Sequence, residues 1–298
     1  MRFRRSLEKL SRPSAVAIGN FDGFHAGHRR IIETLVAVAR DQQLAAVVLT
    51  FQPHPRIFFQ HPIQLISTDR QRLEILKHQA LDRLFCIDFA GVVACPARDF
   101  VHDILRGTLR MNVLVVGEDF RCGSDRTGDL AWLSRQAATE RFTIIQAPGV
   151  EIDGCRVTSS LIRKRLAAGA ISAANRMLEK PYYIDGVVEK GAGRGRQLGF
   201  PTMNLATDNQ ILPCGVFHTR SAVGGNVYES VTNIGRAPTF RSHGQRLRVE
   251  THIPGFRRTI YGVKVRLHFI EKIREEREFA SAADLVEQIR RDITFLGI

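Results

Sequence analysis

Short apolar runs alternate with amphipathic stretches through the first half of the chain. Residues 15–19, 45–51, 84–88, 113–117 and 143–146 are brief, rich in aliphatic and β-branched side chains and bounded by turn formers, a pattern that predicts buried strands. After the first of them, Ile31, Ile32, Leu35, Val36, Val38 and Ala39 recur at helical spacing and line one face. Strand alternating with helix predicts a Rossmann-like parallel sheet covered on both faces, with ligands at the carboxyl ends of its strands.

The period changes after a helical stretch at 171–179. Residues 184–189, 215–223, 227–234, 248–253 and 263–270 read as strands separated by Gly, Pro and Asn, with little helix between them, which predicts a small antiparallel barrel or sandwich. One helix closes the chain. Ser281 with Asp284 forms an N-terminal capping pattern, and Leu285, Ile289, Ile293 and Leu296 form its apolar stripe. The expected organisation is an α/β domain over 1–180 and a β domain over 181–298, meeting near residues 178–182.

Composition and charge narrow the class. With 298 residues, 44% of them hydrophobic and 24% charged, each half can bury a core, which excludes wholesale disorder. The net charge of +13 admits a polyanion, an anionic membrane surface or small phosphorylated substrates. The excess forms no tail or block: 26 basic and 18 acidic residues lie in 1–180, and 17 and 12 in 181–298. A diffuse excess of this kind reads mainly as a solvated basic surface. The five cysteines (Cys86, Cys95, Cys122, Cys155, Cys214) include no C-x-x-C pair, so free thiols in a reducing compartment fit better than zinc or a redox couple. Arg12 and Pro13 interrupt the N-terminus before a signal-like apolar region develops, and no segment approaches the ~18 apolar residues of a spanning helix. A cytoplasmic protein acting without a membrane is the expectation.

Chemistry concentrates just after the predicted strands. Strand 15–19 runs through Asn20-Phe21-Asp22-Gly23-Phe24-His25-Ala26-Gly27-His28 directly into a helix beginning near Arg29. Gly27 allows close backbone approach, free N–H groups at a helix start favour an anion, and His25 and His28 can hydrogen-bond phosphate oxygens. Downstream, Val157-Thr158-Ser159-Ser160-Leu161-Ile162-Arg163 opens another helix with a hydroxyl-rich first turn, and Arg163 can reach a phosphate held there. Each segment alone is equally that of an ordinary capped turn. Two further loops, 50–56 and 117–123, mix aromatic, carboxylate and Arg groups and suit either a planar ligand or plain strand punctuation.

In the second half, Gly191-Ala192-Gly193-Arg194-Gly195-Arg196 is a glycine-rich basic loop fit to let N–H groups and Arg side chains approach phosphates. It matches neither the P-loop nor the dinucleotide fingerprint. Within 248–253, alternation places Val249, Thr251 and Ile253 on one face and Arg248, Glu250 and His252 on the other. Glu250 is then either an exposed cross-strand partner or a base.

The motifs GNFDGFHAGH, TFQPHP, VVGEDFRCG, RTGD and VTSSLIR stand in the order of the bacterial bifunctional riboflavin kinase/FMN adenylyltransferase (FAD synthetase) family, which the chain resembles over almost its whole length. Gly186-Val187-Val188, Gly195 to Asn204, Leu212 to Phe217, Asn233-Ile234-Gly235 with Pro238-Thr239, and Val249 to His252 are similar to its kinase domain. The resemblance implies a nucleotidylyltransferase sheet followed by a riboflavin kinase-like barrel. ATP and Mg²⁺ would phosphorylate riboflavin to FMN in the second, and a further ATP would adenylylate FMN to FAD, releasing pyrophosphate, in the first.

Residue by residue, it implies Glu250 as the base toward the ribityl hydroxyl, Thr202 and Asn204 at Mg²⁺, and Gly191, Gly195, Arg196 and Thr202 at the kinase nucleotide. For adenylylation it implies His25, His28 and Arg163 as charge-stabilising groups. Gly19, Asn20, Phe21, Gly27, Ser159 and Ser160 would hold ATP, and Pro53, His54, Pro55, Asp119 and Arg121 the flavin. Met203, Phe217, Cys122 and Gly255 depart from the family pattern, which has Ala, Tyr, Phe and an acidic residue there. Small molecules are the implied partners, with no nucleic acid and no membrane, and a monomer is compatible with both activities. Two rivals stay open at this level: another H-x-G-H enzyme such as an aminoacyl-tRNA synthetase, though no Lys-rich second signature is visible, and a basic nucleic-acid-binding module.

Overall fold

The computed structural model describes residues 1–124, 126–236 and 247–297; Pro238 and Thr239 lie outside them. Packing divides the chain into two compact units, Met1–Gln64 with Asp69–Thr158, and Leu65–Thr68 with Ser159–Ile298.

The first unit is built on six parallel strands: β1 (Arg2–Arg4), β2 (Ser14–Ile18), β3 (Ala45–Gln52), β4 (Arg83–Asp88), β5 (Met111–Val116) and β6 (Thr143–Gln146), in the order β1-β4-β3-β2-β5-β6. The five predicted strands are present within a residue or two. β1 went unread because Arg-Phe-Arg at a sheet edge has one apolar residue and no neighbouring pattern. Successive residues of the central strands serve opposite cores: Val16, Ile18, Val47, Leu49 and Leu114 face one cluster, while Ala15, Ala17, Ala46, Val48 and Val113 face the other.

Helices cover both sides. The helices of this unit are α1 (Ala26–Asp41), the single turn α2 (Pro55–Phe58), α3 (Asp69–Lys77), α4 (Ala97–Asp99), which runs on into π-helical turns at Phe100–Thr108, and α5 (Leu130–Glu140). Ile32 and Leu35 of α1 and Leu73 and Leu76 of α3 join one cluster; Phe100, Leu105 and Leu133 join the other. Ser14, fully buried at the start of β2, satisfies its hydroxyl by donating to the Leu109 carbonyl at 2.5 Å. Chain order reverses between β2 and β5, and such a switch point leaves a crevice at the strands' carboxyl ends. A two-residue hairpin, β7 (Glu151–Ile152) and β8 (Cys155–Arg156), follows β6.

The second unit is a closed antiparallel barrel. Its strands β9 (Tyr182–Glu189), β10 (Thr202–Thr207), β11 (Gly215–Val223), β12 (Asn226–Arg236), β13 (Leu247–His252) and β14 (Lys264–Arg274) pair in the order β10-β13-β12-β11-β14-β9, and β9 pairs back onto β10. β10, the strand missing from the sequence pattern, follows Pro201 and is half polar, so it resembles a loop until its pairing is known. Helices α6 (Ser159–Ala167) and α7 (Ile171–Leu178) group with this unit, although the sequence boundary near 178–182 places them before it. Asn175 explains the attachment of α7: its Nδ2 donates to the Phe269 and Ile270 carbonyls at 2.9 and 3.2 Å, and its Oδ1 accepts from the Tyr182 N–H at 2.7 Å.

Inside the barrel lies a chain of buried hydroxyls. Ser221 bonds Ser230, Ser230 bonds Thr219, Thr219 bonds Thr232 and Thr232 bonds Thr251, at 2.7–2.9 Å. The helical turn α8 (Arg194–Gln197) follows β9, and α9 (Ala282–Thr294) closes the chain. α9 is capped as predicted, the Ser281 Oγ accepting from the Asp284 N–H at 3.2 Å. Ile293 and Leu296 pack on Val216 and Val231. Asp292, 2% exposed, receives Arg274 Nε and Nη2 at 3.0 and 2.8 Å and Gln288 Nε2 at 2.7 Å.

Two measurements check these packing arguments. Asp292→Ala leaves Arg274 without its carboxylate and costs the barrel about 3 kcal/mol in urea unfolding; a variant within 0.5 kcal/mol of wild type, about the spread of an ordinary surface substitution, contradicts the anchor. Burial, and after it the Arg266 guanidinium, hold His268 below the ordinary histidine value of 6.5. The unfolded chain therefore binds a proton that the fold excludes, so this contribution to stability is complete above about pH 6.5 and is lost as pH falls through the folded value. His268→Gln flattens the slope of unfolding free energy below that pH, and an unchanged slope refutes the assignment.

Candidate active sites

The loop after β2 combines core anchoring with left-handed backbone. Phe21 (φ 52°), Gly23 (φ 80°) and Phe24 (φ 45°) adopt conformations that β-carbon-bearing residues rarely take. Both phenylalanine rings are fully buried, and they fix the turn against the core cluster under α1. Gly19 makes room for this: a Cβ there would stand 3.1 Å from the Phe21 ring. Phe21 therefore has only its backbone to offer a ligand.

His25 is the N-cap of α1, its Nδ1 accepting the His28 N–H at 3.3 Å. In the neutral ring the proton then sits on Nε2, which becomes a donor. The His25 and His28 rings stack with centroids 3.7 Å apart, and Phe21 meets His28 edge-on at 5.3 Å. Gly27 accommodates the pair, since a Cβ there would lie 3.2 Å from the His25 ring and 3.8 Å from the Val157 carbonyl. The chain leading to Ser159 thus passes beside the start of α1.

Beneath the loop sits Arg72 of α3, 3% exposed. Its Nη1 donates to the Asn20 carbonyl at 2.9 Å and the Thr50 hydroxyl at 3.0 Å; its Nη2 donates to the Phe51 carbonyl at 2.9 Å and Asp69 at 2.7 Å. One buried cation therefore holds the ends of β2 and β3 in fixed relation. The crevice above is lined by Gly19, Asn20, Phe51, Pro55, Phe59, Phe89, Asp119, Phe120 and Arg121. Phe58 and Phe59 meet Phe89 edge-on at 5.3 and 5.9 Å, forming an aromatic wall.

Asp119 pairs with Arg156 at 2.9 Å, while His54 caps α2 by accepting the Arg56 N–H at 3.1 Å. Of the predicted flavin residues, Pro55, Asp119 and Arg121 line the crevice together with Gly19 and Asn20. An apolar wall with polar groups at its rim suits a planar ligand with a polar edge. Ser159, Ser160 and Arg163 open α6, in the second unit.

In the barrel, register assembles the second site. Asn204 of β10 lies opposite both Glu189 of β9 and Glu250 of β13, and Glu250 lies opposite Asn233 of β12. Glu189, Asn204, Glu250 and Asn233 thus form a transverse polar row on the outer face. Thr202 shares that face two residues before Asn204, and Met203 between them is buried inward, so its extra bulk leaves the row untouched. Thr202 lies opposite His252, whose Nδ1 donates to the Pro201 carbonyl at 2.9 Å and steadies the approach to β10.

The glycine-rich loop is packed onto these residues. A Cβ on Gly191 would stand 2.0 Å from Asn204 Nδ2, and one on Gly195 would stand 2.5 Å from the Phe200 carbonyl and 3.3 Å from Thr202 Oγ1. Lys190 and Gly191 line a cavity with Asn204 and Arg248, and Arg196, Thr202, Arg258, Phe256 and Tyr261 line another at the barrel end. Among the described residues no cluster of three His, Cys, Asp or Glu side chains is placed to hold a metal. Thr202 and Asn204 supply neutral hard oxygens instead, which fit Mg²⁺ only when phosphates bring the charge. Gly255 occupies a left-handed turn (φ 73°), which explains glycine at this departure from the family pattern.

Sequence reasoning missed Arg72 and the aromatic wall of Phe59 and Phe89. Nothing marks a buried arginine in a polar helix pattern, and Phe58-Phe59 is visible only as an apolar pair after a turn.

Two family models divide the chain: one for FAD synthetase matches residues 7–161, and one for riboflavin kinase matches residues 178–296. Curated relatives described as bifunctional riboflavin kinase/FMN adenylyltransferase include one from Pseudomonas fluorescens, 34% identical and covering 98% of this chain and 96% of its own. Another, from Escherichia coli strain K12, is 33% identical over the same shares, and one from Bacillus subtilis strain 168 is 31% identical over 94% and 90%. A solved structure described as a macrolide-efflux protein from Streptococcus pneumoniae superposes with a TM-score of 0.88 at 26% identity, covering 98% of this chain and 97% of that one. No described helix of the present chain is long and apolar enough to cross a membrane.

The close packing of Gly191 on Asn204 is directly testable. Gly191→Ala displaces the Asn204 amide and destabilises the second unit by about 1–3 kcal/mol. Wild-type stability with an unmoved Asn204 side-chain amide resonance contradicts it.

Proposed function

The chain belongs to the bifunctional riboflavin kinase/FMN adenylyltransferase family, and from that membership we propose how its residues carry out the two reactions. The protein phosphorylates riboflavin to FMN with ATP and adenylylates FMN to FAD with a second ATP, releasing pyrophosphate. The observation that carries the division of labour is the polar row on the barrel, with Asn204 and Glu250 in direct register.

In the barrel, Glu250 takes the proton of the terminal ribityl hydroxyl as that oxygen attacks the γ-phosphorus and ADP leaves. A single positioned carboxylate suffices for this, because phosphoryl transfer depends mainly on positioning and charge neutralisation. Arg196 and the N–H groups around Gly191 and Gly195 hold the phosphates. Thr202 Oγ1 and the Asn204 side chain would hold Mg²⁺, which would supply positive charge to offset that of the nucleotide phosphates.

In the first unit, a phosphate oxygen of FMN attacks the α-phosphorus of ATP and pyrophosphate departs. His25, through its Nε2 donor, and His28 stabilise the charge that builds on the triphosphate, with no covalent intermediate. Ser159, Ser160 and Arg163 keep the triphosphate role implied by the family motif. The isoalloxazine lies against the aromatic wall of the crevice, with Pro55, Asp119 and Arg121 at its rim. Pro53 and His54 shape that wall through α2, which His54 caps. The protein works in the cytoplasm on small molecules, its positive charge being surface apart from the few phosphate-binding groups.

Chromatographic separation of flavins after incubation with riboflavin, ATP and Mg²⁺ tests the scheme. His28→Ala lowers FAD formation at least 100-fold, the scale of losing a positioned stabilising group, while FMN still forms; loss of FMN instead reverses the assignment of the two units. Asn204→Ala blocks FMN formation yet converts supplied FMN to FAD, and an undiminished kinase rate refutes the metal assignment.

A further inference from the structure

Two side chains of the polar row, Glu189 and Asn233, have no part in the scheme above, and Asn233 is the more buried of them. Asn233 flanks Glu250 on β12 as Asn204 flanks it on β10, because both lie opposite Glu250 in their ladders. Its neighbours along β12, Thr232 and Ile234, are fully buried inside the barrel, so Asn233 projects to the outer face. Its Oδ1 is nevertheless closed to solvent and, among the described residues, accepts no hydrogen bond.

Buried amide oxygens elsewhere in the unit are used: Asn175 Oδ1 accepts the Tyr182 N–H at 2.7 Å and Asn209 Oδ1 accepts the Asp185 N–H at 3.0 Å. A buried acceptor left without a donor is destabilising. Glu250 beside it, as the base of the scheme above, is an acceptor too. The donor has to arrive with a ligand.

Of the groups the kinase reaction brings to this face, the phosphates are acceptors and the ribityl chain carries donors. Glu250 engages the terminal hydroxyl. Acceptors on adjacent strands, about 4.8 Å apart at the backbone, suit donors on adjacent carbons of a polyol. We propose that Asn233 Oδ1 accepts a hydrogen bond from the ribityl C4′ hydroxyl, so that Asn233 is a substrate-binding residue selecting flavins that carry this hydroxyl. The inference rests on Glu250 acting as base in the barrel site. A substrate without the hydroxyl leaves the amide oxygen buried and unpaired, which is how polar sites reject deoxy analogues.

The test compares kcat/KM for phosphorylation of riboflavin and 4′-deoxyriboflavin by the full-length wild type and by Asn233→Leu. Wild type prefers riboflavin about tenfold or more, and Asn233→Leu loses that preference because its rate falls on riboflavin but not on the deoxy analogue. Equal losses on both substrates, or no preference in wild type, overturn the assignment. If thermal unfolding shows that Asn233→Leu does not fold, Asn233→Ser replaces it in the same comparison with the same criteria. Glu250→Gln is measured alongside. An unimpaired kinase rate in Glu250→Gln removes the base assignment, whereas an inactive Glu250→Gln with an unaltered 4′-hydroxyl preference in Asn233→Leu removes only the role of Asn233.

Discussion

The register between β10 and β13 is the constraint on which the barrel site depends. Side chains alternate with a period of two, so a slip of one residue would turn either Thr202 and Asn204 or Glu250 inward and part the two halves of the site. The buried hydroxyls hold β13 in one orientation, with Thr251 inward and Glu250 outward. Thr232 faces Thr251 and Thr219 faces Ser230 directly across their ladders, and each hydroxyl finds its partner only in this register. Any other pairing would place unpaired hydroxyls against apolar side chains, at a cost of about 1–3 kcal/mol for each. A polar chain inside the barrel thereby holds β11, β12 and β13 in register, and with them Asn233 beside Glu250.

The first unit solves the same problem by different means. Its central strands are apolar on both faces, so they leave no surface for chemistry and confine it to the loops at their carboxyl ends. Loops need holding. Arg72 ties the Asn20 and Phe51 carbonyls to one guanidinium, and the buried Phe21 and Phe24 rings keep the backbone left-handed where His25 and His28 begin α1. The strain is supported by core packing on one side and a buried charge on the other.

How much of this was legible follows from the range of each interaction. The parallel strands were visible because each is a contiguous apolar run, and the H-x-G-H turn because its residues are adjacent. β10 was not, since Thr202 to Thr207 becomes a strand only through Glu189 and Glu250, far away in sequence. The spacing of Pro201, Thr202 and Asn204 gave family likeness, and register then supplied the reason Thr202 and Asn204 share a face with Glu250. Gly191 and Gly195 were read as openings for phosphate, yet the structure shows that each is also demanded by a neighbour, Asn204 or the Phe200 carbonyl. Arg72 leaves no local trace and Asn233 only a family motif, because burial and cross-strand position are properties of the fold alone.

The central claim is that two sites, one at the strand ends of the parallel sheet and one on the barrel face, act in series through a released product. Mixing the His28→Ala and Asn204→Ala proteins tests it most directly, since neither alone converts riboflavin to FAD. The mixture, supplied with riboflavin, ATP and Mg²⁺, is predicted to accumulate FMN first and then FAD, as the barrel of one protein feeds the sheet domain of the other. A mixture that forms no FAD, although each variant retains its own half-reaction, would contradict it.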